Sequence, residues 1–97
     1  MKSILVDNDS ECYVCGSTQW LEWHHIYNAS KRKVSEANGF KVKLCHYCHN
    51  EPSDGVRPAG VHFDIKLDYK LRAKCQAKFE ETNTRAEFMN RIGRNYL

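Results

Sequence analysis

Residues 44–50, Leu44-Cys45-His46-Tyr47-Cys48-His49-Asn50, decide the fold of this 97-residue chain. They repeat the Cys-x-x-Cys spacing of Cys12-Tyr13-Val14-Cys15-Gly16, and the two pairs enclose His24-His25-Ile26. A Cys-x-x-Cys knuckle reverses the chain tightly and presents two sulfurs to one ion, so two knuckles complete a tetrahedral zinc site. Gly16 suits the exit from the first knuckle because it tolerates strained backbone. Cys12, Cys15, Cys45 and Cys48 therefore read as a structural Zn²⁺ site. Two independent dithiols fit less well, since neither pair lies in the strand-helix context of a thioredoxin-type redox motif. His46 sits inside the second knuckle, where its ring is expected to point away. Cys75, the fifth cysteine, falls in an apolar helical row and reads as a buried packing thiol.

The length suits one domain, residues 1–97, with a core thin enough to profit from a metal cross-link. Hydrophobic residues make up 41% and charged residues 28%, an ordinary globular balance that argues against general disorder. The longest apolar run near the start is Ile4-Leu5-Val6, too short for a signal peptide or membrane span. A cytoplasmic, reducing setting is the expectation, in which paired cysteines hold metal rather than form disulfides. Four thiolates and one Zn²⁺ would lower the formal charge of +3 to +1, and a second divalent ion would restore it. Local basic patches, rather than the whole surface, would then attract an acidic partner.

The pattern along the chain predicts an α+β domain. Met1 to Val6 reads as a short strand or a loose arm, and Asp7 to Glu11 as a loop. Gln19 to Tyr27 alternates aromatic and branched residues and predicts a strand. On a regular strand His24 and His25 project to opposite faces. Phe40 to Leu44 predicts a second strand that runs into Cys45. Asn28 to Asn38 between them predicts a long connecting loop with an exposed basic tip, Lys31-Arg32-Lys33. Asn50 to Gly60 holds both prolines and predicts another loop. From about Val61 to Glu81 the spacing is helical. Leu67, Leu71, Cys75 and Phe79 form one apolar row, and Ile65, Tyr69, Ala73 and Ala77 widen it. Thr84 and Glu87 match a capping box for a last short helix that Gly93 stops.

Taken together, CYVCG at 12–16, WHHI at 23–26 and LCHYCHN at 44–50 resemble the HNH endonucleases of the ββα-metal, treble-clef zinc type. The run from His24 to Cys45, with GVHF at 60–63, also resembles compact phage-associated HNH proteins related to Ref-type recombination nucleases. The resemblance covers residues 12–50 as zinc knuckles and ββα core, and extends into the first of the C-terminal helices over 61–97. It implies a β-hairpin and helix holding a divalent ion over a scissile phosphate. In that family the first histidine of the pair is a metal ligand, which falls on His24, and the second is the general base, which falls on His25. The histidine after the last zinc cysteine is a further ligand, here His49. Phe40 stands where the family usually carries an asparagine that pins the loop orienting the base. Asn38 is the nearest substitute for that loop-positioning role, and Asn28 can also serve. His62 is an additional imidazole at a predicted helix start, placed to join or replace His49.

The chemistry asks for such a set independently of the resemblance. Phosphodiester hydrolysis needs a base for water and a cation facing the phosphoryl centre and the leaving oxygen. An imidazole with one free nitrogen is a competent base near neutral pH. Two imidazoles are softer than an ideal Mg²⁺ site, so Mg²⁺, Mn²⁺, Ni²⁺ and Zn²⁺ all stay open as the catalytic metal. Lys31, Arg32 and Lys33 are candidate phosphate contacts, which position DNA without reading its bases. The Lys66, Lys70, Lys74, Lys78 row is diluted by Asp64, Asp68 and Glu80 and reads as a solvated helix face. DNA is the expected partner, with no membrane. The Ref-like resemblance adds a recombinase or another phage or host DNA-processing protein, and the small size suggests a homodimer. A zinc module that binds nucleic acid or protein without catalysis is the competing expectation.

Overall fold

A computed structural model describes residues 2–97; Met1, which begins the predicted N-terminal strand or arm, lies outside them. The first strand, β1 (Leu21–His25), pairs antiparallel with β2 (Lys41–Cys45) in an unbroken register from Leu21 opposite Cys45 to His25 opposite Lys41. Both strands were anticipated, though β1 is shorter than the predicted Gln19 to Tyr27. Its start is set by Trp20, which adopts a positive φ of 57° that a strand cannot continue. The Ile26 N–H still donates to Phe40 O at 2.9 Å, so the ladder carries the chain into the core just beyond the strand.

The segment expected to be a loop is instead helical. A 3-10 turn, Ala29–Lys31, leads into α1 (Arg32–Asn38), which ends on Gly39 in the left-handed conformation (φ 71°). Ser35 locks α1 to the hairpin: its hydroxyl donates to Tyr27 O and accepts from Tyr27 N–H at 3.2 Å. No apolar period marked this helix, because a seven-residue helix needs few buried positions. Gly39 also seats the arm, since the Ile4 N–H donates to its carbonyl and a Cβ there would lie 2.2 Å from Lys2 O.

The second knuckle is itself helical, α2 (His46–Asn50). The predicted helix from Val61 is two elements. Val61–Phe63 is a 3-10 turn, and α3 (Ile65–Glu80) begins only after Asp64, whose side chain accepts from Lys66 N–H and Leu67 N–H as an N-cap. Leu71, Cys75 and Phe79 are buried as expected, but Ile65, Tyr69 and Ala77 are exposed, and Gln76 takes a core position instead. The Gln76 amide is satisfied there, donating to Glu80 and Asn95 and accepting from Tyr96 N–H. The last helix, α4 (Arg85–Ile92), has the anticipated Thr84 cap on Glu87 N–H and ends at Gly93.

The core is an aromatic cluster between the hairpin and the C-terminal helices. Phe40 is fully buried, with ring centroids 5.5 Å from Tyr27 and from Phe79 and 6.1 Å from Phe88. Such tilted and edge-on pairs add to the burial of large apolar side chains. Tyr27 anchors the cluster to α3 by donating its hydroxyl to Arg72 O at 2.6 Å.

Candidate metal centres

Both knuckles converge. One sulfur from each of Cys12, Cys15, Cys45 and Cys48 lies within 4.8 Å of the others, and all five cysteines are free of disulfides. The frame makes this close approach: Tyr13 N–H donates to Lys43 O on β2, and the first knuckle closes through Gly16 N–H to Cys12 O. Four sulfurs of this spacing suit a tetrahedral zinc ion. Cys48 is pushed up by burial and by the crowding sulfurs. Burial also works against ionisation of Cys12, yet backbone N–H groups around it bring it down to about 7. A cation among these groups favours the thiolates that ligation requires. Cys75 is fully buried on α3 and stands apart from the group.

A second convergence also draws on α2. His24 from β1, His49 from α2 and His62 from the 3-10 turn bring ring nitrogens within 4.8 Å of one another. His24 is buried, and its Nε2 has no hydrogen-bond partner among the described residues. An orphaned buried nitrogen of this kind calls for an explanation, and a cation held by neutral imidazoles supplies one. Burial holds His24 down to about 3, with His49 and His62 reinforcing the effect, so the ring is neutral and its lone pair free. The Nε2 atoms of His49 and His62 are 3.0 Å apart. His49 is oriented from behind, because its Nδ1 donates to Glu22 Oε1 at 2.8 Å, so that in the neutral ring Nε2 is the acceptor nitrogen, and it faces His62. These residues fit a divalent ion bound through three imidazoles.

His62 reaches this place because Gly60 lets the chain press against α2. A Cβ at residue 60 would lie 2.7 Å from Tyr47 O and 2.9 Å from the His49 carbonyl carbon.

His24 and His25 do project to opposite faces of β1, and the register shows no bulge. Both nevertheless border one groove of about 400 Å³, together with His49, His62, Asn28 and Arg32. His25 is the last residue of β1 and is half-buried. Its Nε2 lies 3.0 Å from Glu36 Oε2 on α1. A larger, more apolar groove of about 630 Å³ runs past the cysteines between Trp20, Tyr47 and Arg57, but it gathers no comparable set of ligating nitrogens.

Several expectations about individual residues need correction. The basic triplet is not a loop tip: Lys31 closes the 3-10 turn and Arg32 and Lys33 open α1, and of the three only Arg32 borders the histidine groove. Asn38 does not address the base, since its amide donates to Val34 O four residues back in the same helix. Asn28 instead faces α3, accepting from Arg72 Nη2 at 3.3 Å. Phe40, in the asparagine position, is a core residue with no polar contact to offer. His46 points away from the sulfurs as expected, and is gripped between Glu22 and Glu51 at 3.2 and 2.6 Å. The Glu51 contact, followed by Glu22, raises its affinity for a proton.

Glu22 and Glu36 are the site residues that the sequence reading missed. Glu22 lies two positions before His24 on the same strand face, a signal available from the alternation. Glu36 was hidden with the unrecognised helix that carries it.

No family model, curated protein or solved structure matches the chain. No helix among the described residues is long and apolar enough to cross a membrane.

Proposed function

We propose that this protein is a metal-dependent endonuclease of HNH type, hydrolysing phosphodiester bonds in DNA from a treble-clef-like frame held by a four-cysteine zinc. The observation that carries the proposal is buried His24, whose Nε2 has no hydrogen-bond partner among the described residues and whose ring converges with His49 and His62 beside a groove that His25 also borders. Structural zinc alone would leave that nitrogen unexplained.

His24, His49 and His62 would hold the catalytic ion, which would act as a Lewis acid towards the phosphoryl oxygens and the leaving 3′ oxygen. Three neutral imidazoles suit Mn²⁺, Ni²⁺ or Zn²⁺ better than Mg²⁺, which prefers oxygen donors. His25 takes a proton from water as the water oxygen bonds to phosphorus and the P–O3′ bond breaks. Arg32 offers a guanidinium to a neighbouring phosphate, a contact that positions the strand without reading sequence.

Phe40 favours the competing reading of a binding module without catalysis, because the usual positioning asparagine is replaced by core. Cleavage of supercoiled plasmid across Mg²⁺, Mn²⁺, Ni²⁺ and Co²⁺ decides between them. Endonuclease activity predicts nicked or linear product that requires the added ion and disappears in His25→Ala at unchanged zinc content. A mobility shift without cleavage under every ion would favour the binding module.

A further inference from the structure

The proposed general base needs something to fix its ring, and the asparagine position cannot do so. We infer that Glu36 is the positioning residue for His25, its carboxylate holding the Nε2–H so that Nδ1 is left as the basic nitrogen. The assignment rests on the hydrolytic reading above for its role, and on the contact geometry for its existence.

The geometry is layered. His25 and Lys41 are directly opposed across β1 and β2, and Glu36 reaches over both from α1. Its carboxylate lies 3.0 Å from His25 Nε2 and 3.0 Å from Lys41 Nζ. Lys41 is buried, with Nζ 4.5 Å from the Trp23 ring centroid, so Glu36 is tethered to a fixed cation rather than to a mobile surface lysine. The helix beneath Glu36 is equally fixed, because adjacent Ser35 is fully buried and bonded to both polar groups of the Tyr27 backbone.

A carboxylate only accepts hydrogen bonds, so the nitrogen facing it in a neutral imidazole carries the hydrogen. Nε2 is thereby committed as the donor. Nδ1 has no protein partner among the described residues and is the nitrogen that remains for water in the groove. A carboxylate behind an imidazole that sets tautomer and ring direction is a recurrent arrangement for a catalytic base. Here a glutamate on α1, between the two strands, would serve where the asparagine of the HNH nucleases is absent.

The test uses the full chain loaded with zinc and compares wild type, Glu36→Ala and Glu36→Gln. Long-range ¹H–¹⁵N spectra report which His25 nitrogen carries the hydrogen, and steady-state cleavage separates kcat from KM. The expected wild-type signature is the Nε2–H tautomer. Glu36→Ala should mix the tautomers and lower kcat by roughly 10- to 100-fold, a fraction of the 10²–10⁴ typical of a general base. KM for DNA should stay level or fall, since a negative charge near the substrate is removed. Glu36→Gln keeps an acceptor oxygen and should recover part of both effects. Lys41→Met, which releases the tether but not the acceptor, should keep the tautomer.

An unchanged tautomer in Glu36→Ala, or an unchanged kcat, overturns the assignment while the endonuclease reading stands. Wild type that shows the Nε2–H tautomer yet cuts no DNA overturns the hydrolytic reading, and the catalytic role of Glu36 with it.

Discussion

The Nε2 atoms of His49 and His62 face each other at 3.0 Å beside the groove that His24, whose buried Nε2 is orphaned, also borders. Glu22 fixes the hydrogen of His49 on Nδ1, so without an ion the pair is joined only if His62 donates. A cation lets all three rings present lone pairs together. Truncation in His62→Ala should therefore weaken divalent-ion binding at this site by more than the roughly 10–100-fold expected of a supporting residue such as Glu22. Titration calorimetry with Ni²⁺ or Mn²⁺ of protein carrying a single zinc per chain, at the cysteine site, measures it, and equal affinity in both proteins would remove His62 from the ligand set.

Gly60 should tolerate no side chain. The Cβ of Gly60→Ala would press on the Tyr47 carbonyl oxygen at 2.7 Å and on the backbone between His49 and Asn50. Backbone cannot yield as a flexible side chain does, so overpacking should cost about 1–3 kcal/mol. The same displacement carries His62 away from His49. A lowered Tm together with weaker ion binding at the histidine site is the expected pair of results.

Placing at position 40 the asparagine that the HNH nucleases carry in the corresponding place should damage the protein. Phe40→Asn would empty the centre of the Tyr27, Phe79 and Phe88 cluster and bury an amide there. Loss of a buried phenylalanine costs about 3–5 kcal/mol even without the polar group. Denaturant unfolding should show a loss at or beyond that range, with no gain in cleavage.

Acid should destabilise the fold through His24. Its folded-state affinity for a proton is lowered by burial to about 3, below the ordinary histidine value of about 6.5. Between these values the unfolded chain binds the proton and the folded chain does not, so stability rises with pH across this window. The contribution is fully present above about pH 6.5 and is lost as pH falls towards 3. His24→Gln should flatten that dependence in thermal unfolding between pH 7 and pH 5, a range in which wild type loses Tm.

Legibility followed the length of the local signal. The cysteine knuckles, both strands and the Thr84 cap each announce themselves within a few residues, and all appear in the fold. Helix α1 does not, because it buries little beyond Ser35 and is held by tertiary bonds to Tyr27 rather than by an apolar period. Its one local marker was Gly39, which suits a helix end as readily as a strand start. Missing α1 turned the Lys31-Arg32-Lys33 segment into a loop tip and concealed Glu36. The start of α3 was misplaced for a related reason: helical spacing continues through Val61 and Ile65, while only the Asp64 cap separates turn from helix. His62 was visible as a spare imidazole, but its meeting with His49 depends on the close approach at Gly60, which no spacing rule conveys.

The central claim is that two divalent ions occupy each chain, one among sulfurs and one among imidazoles. Native mass spectrometry of protein equilibrated with Zn²⁺ counts them directly. Wild type should carry two ions, and His24→Ala with His49→Ala should carry one while remaining folded. A single ion in both proteins, or two in the double variant, would contradict the account.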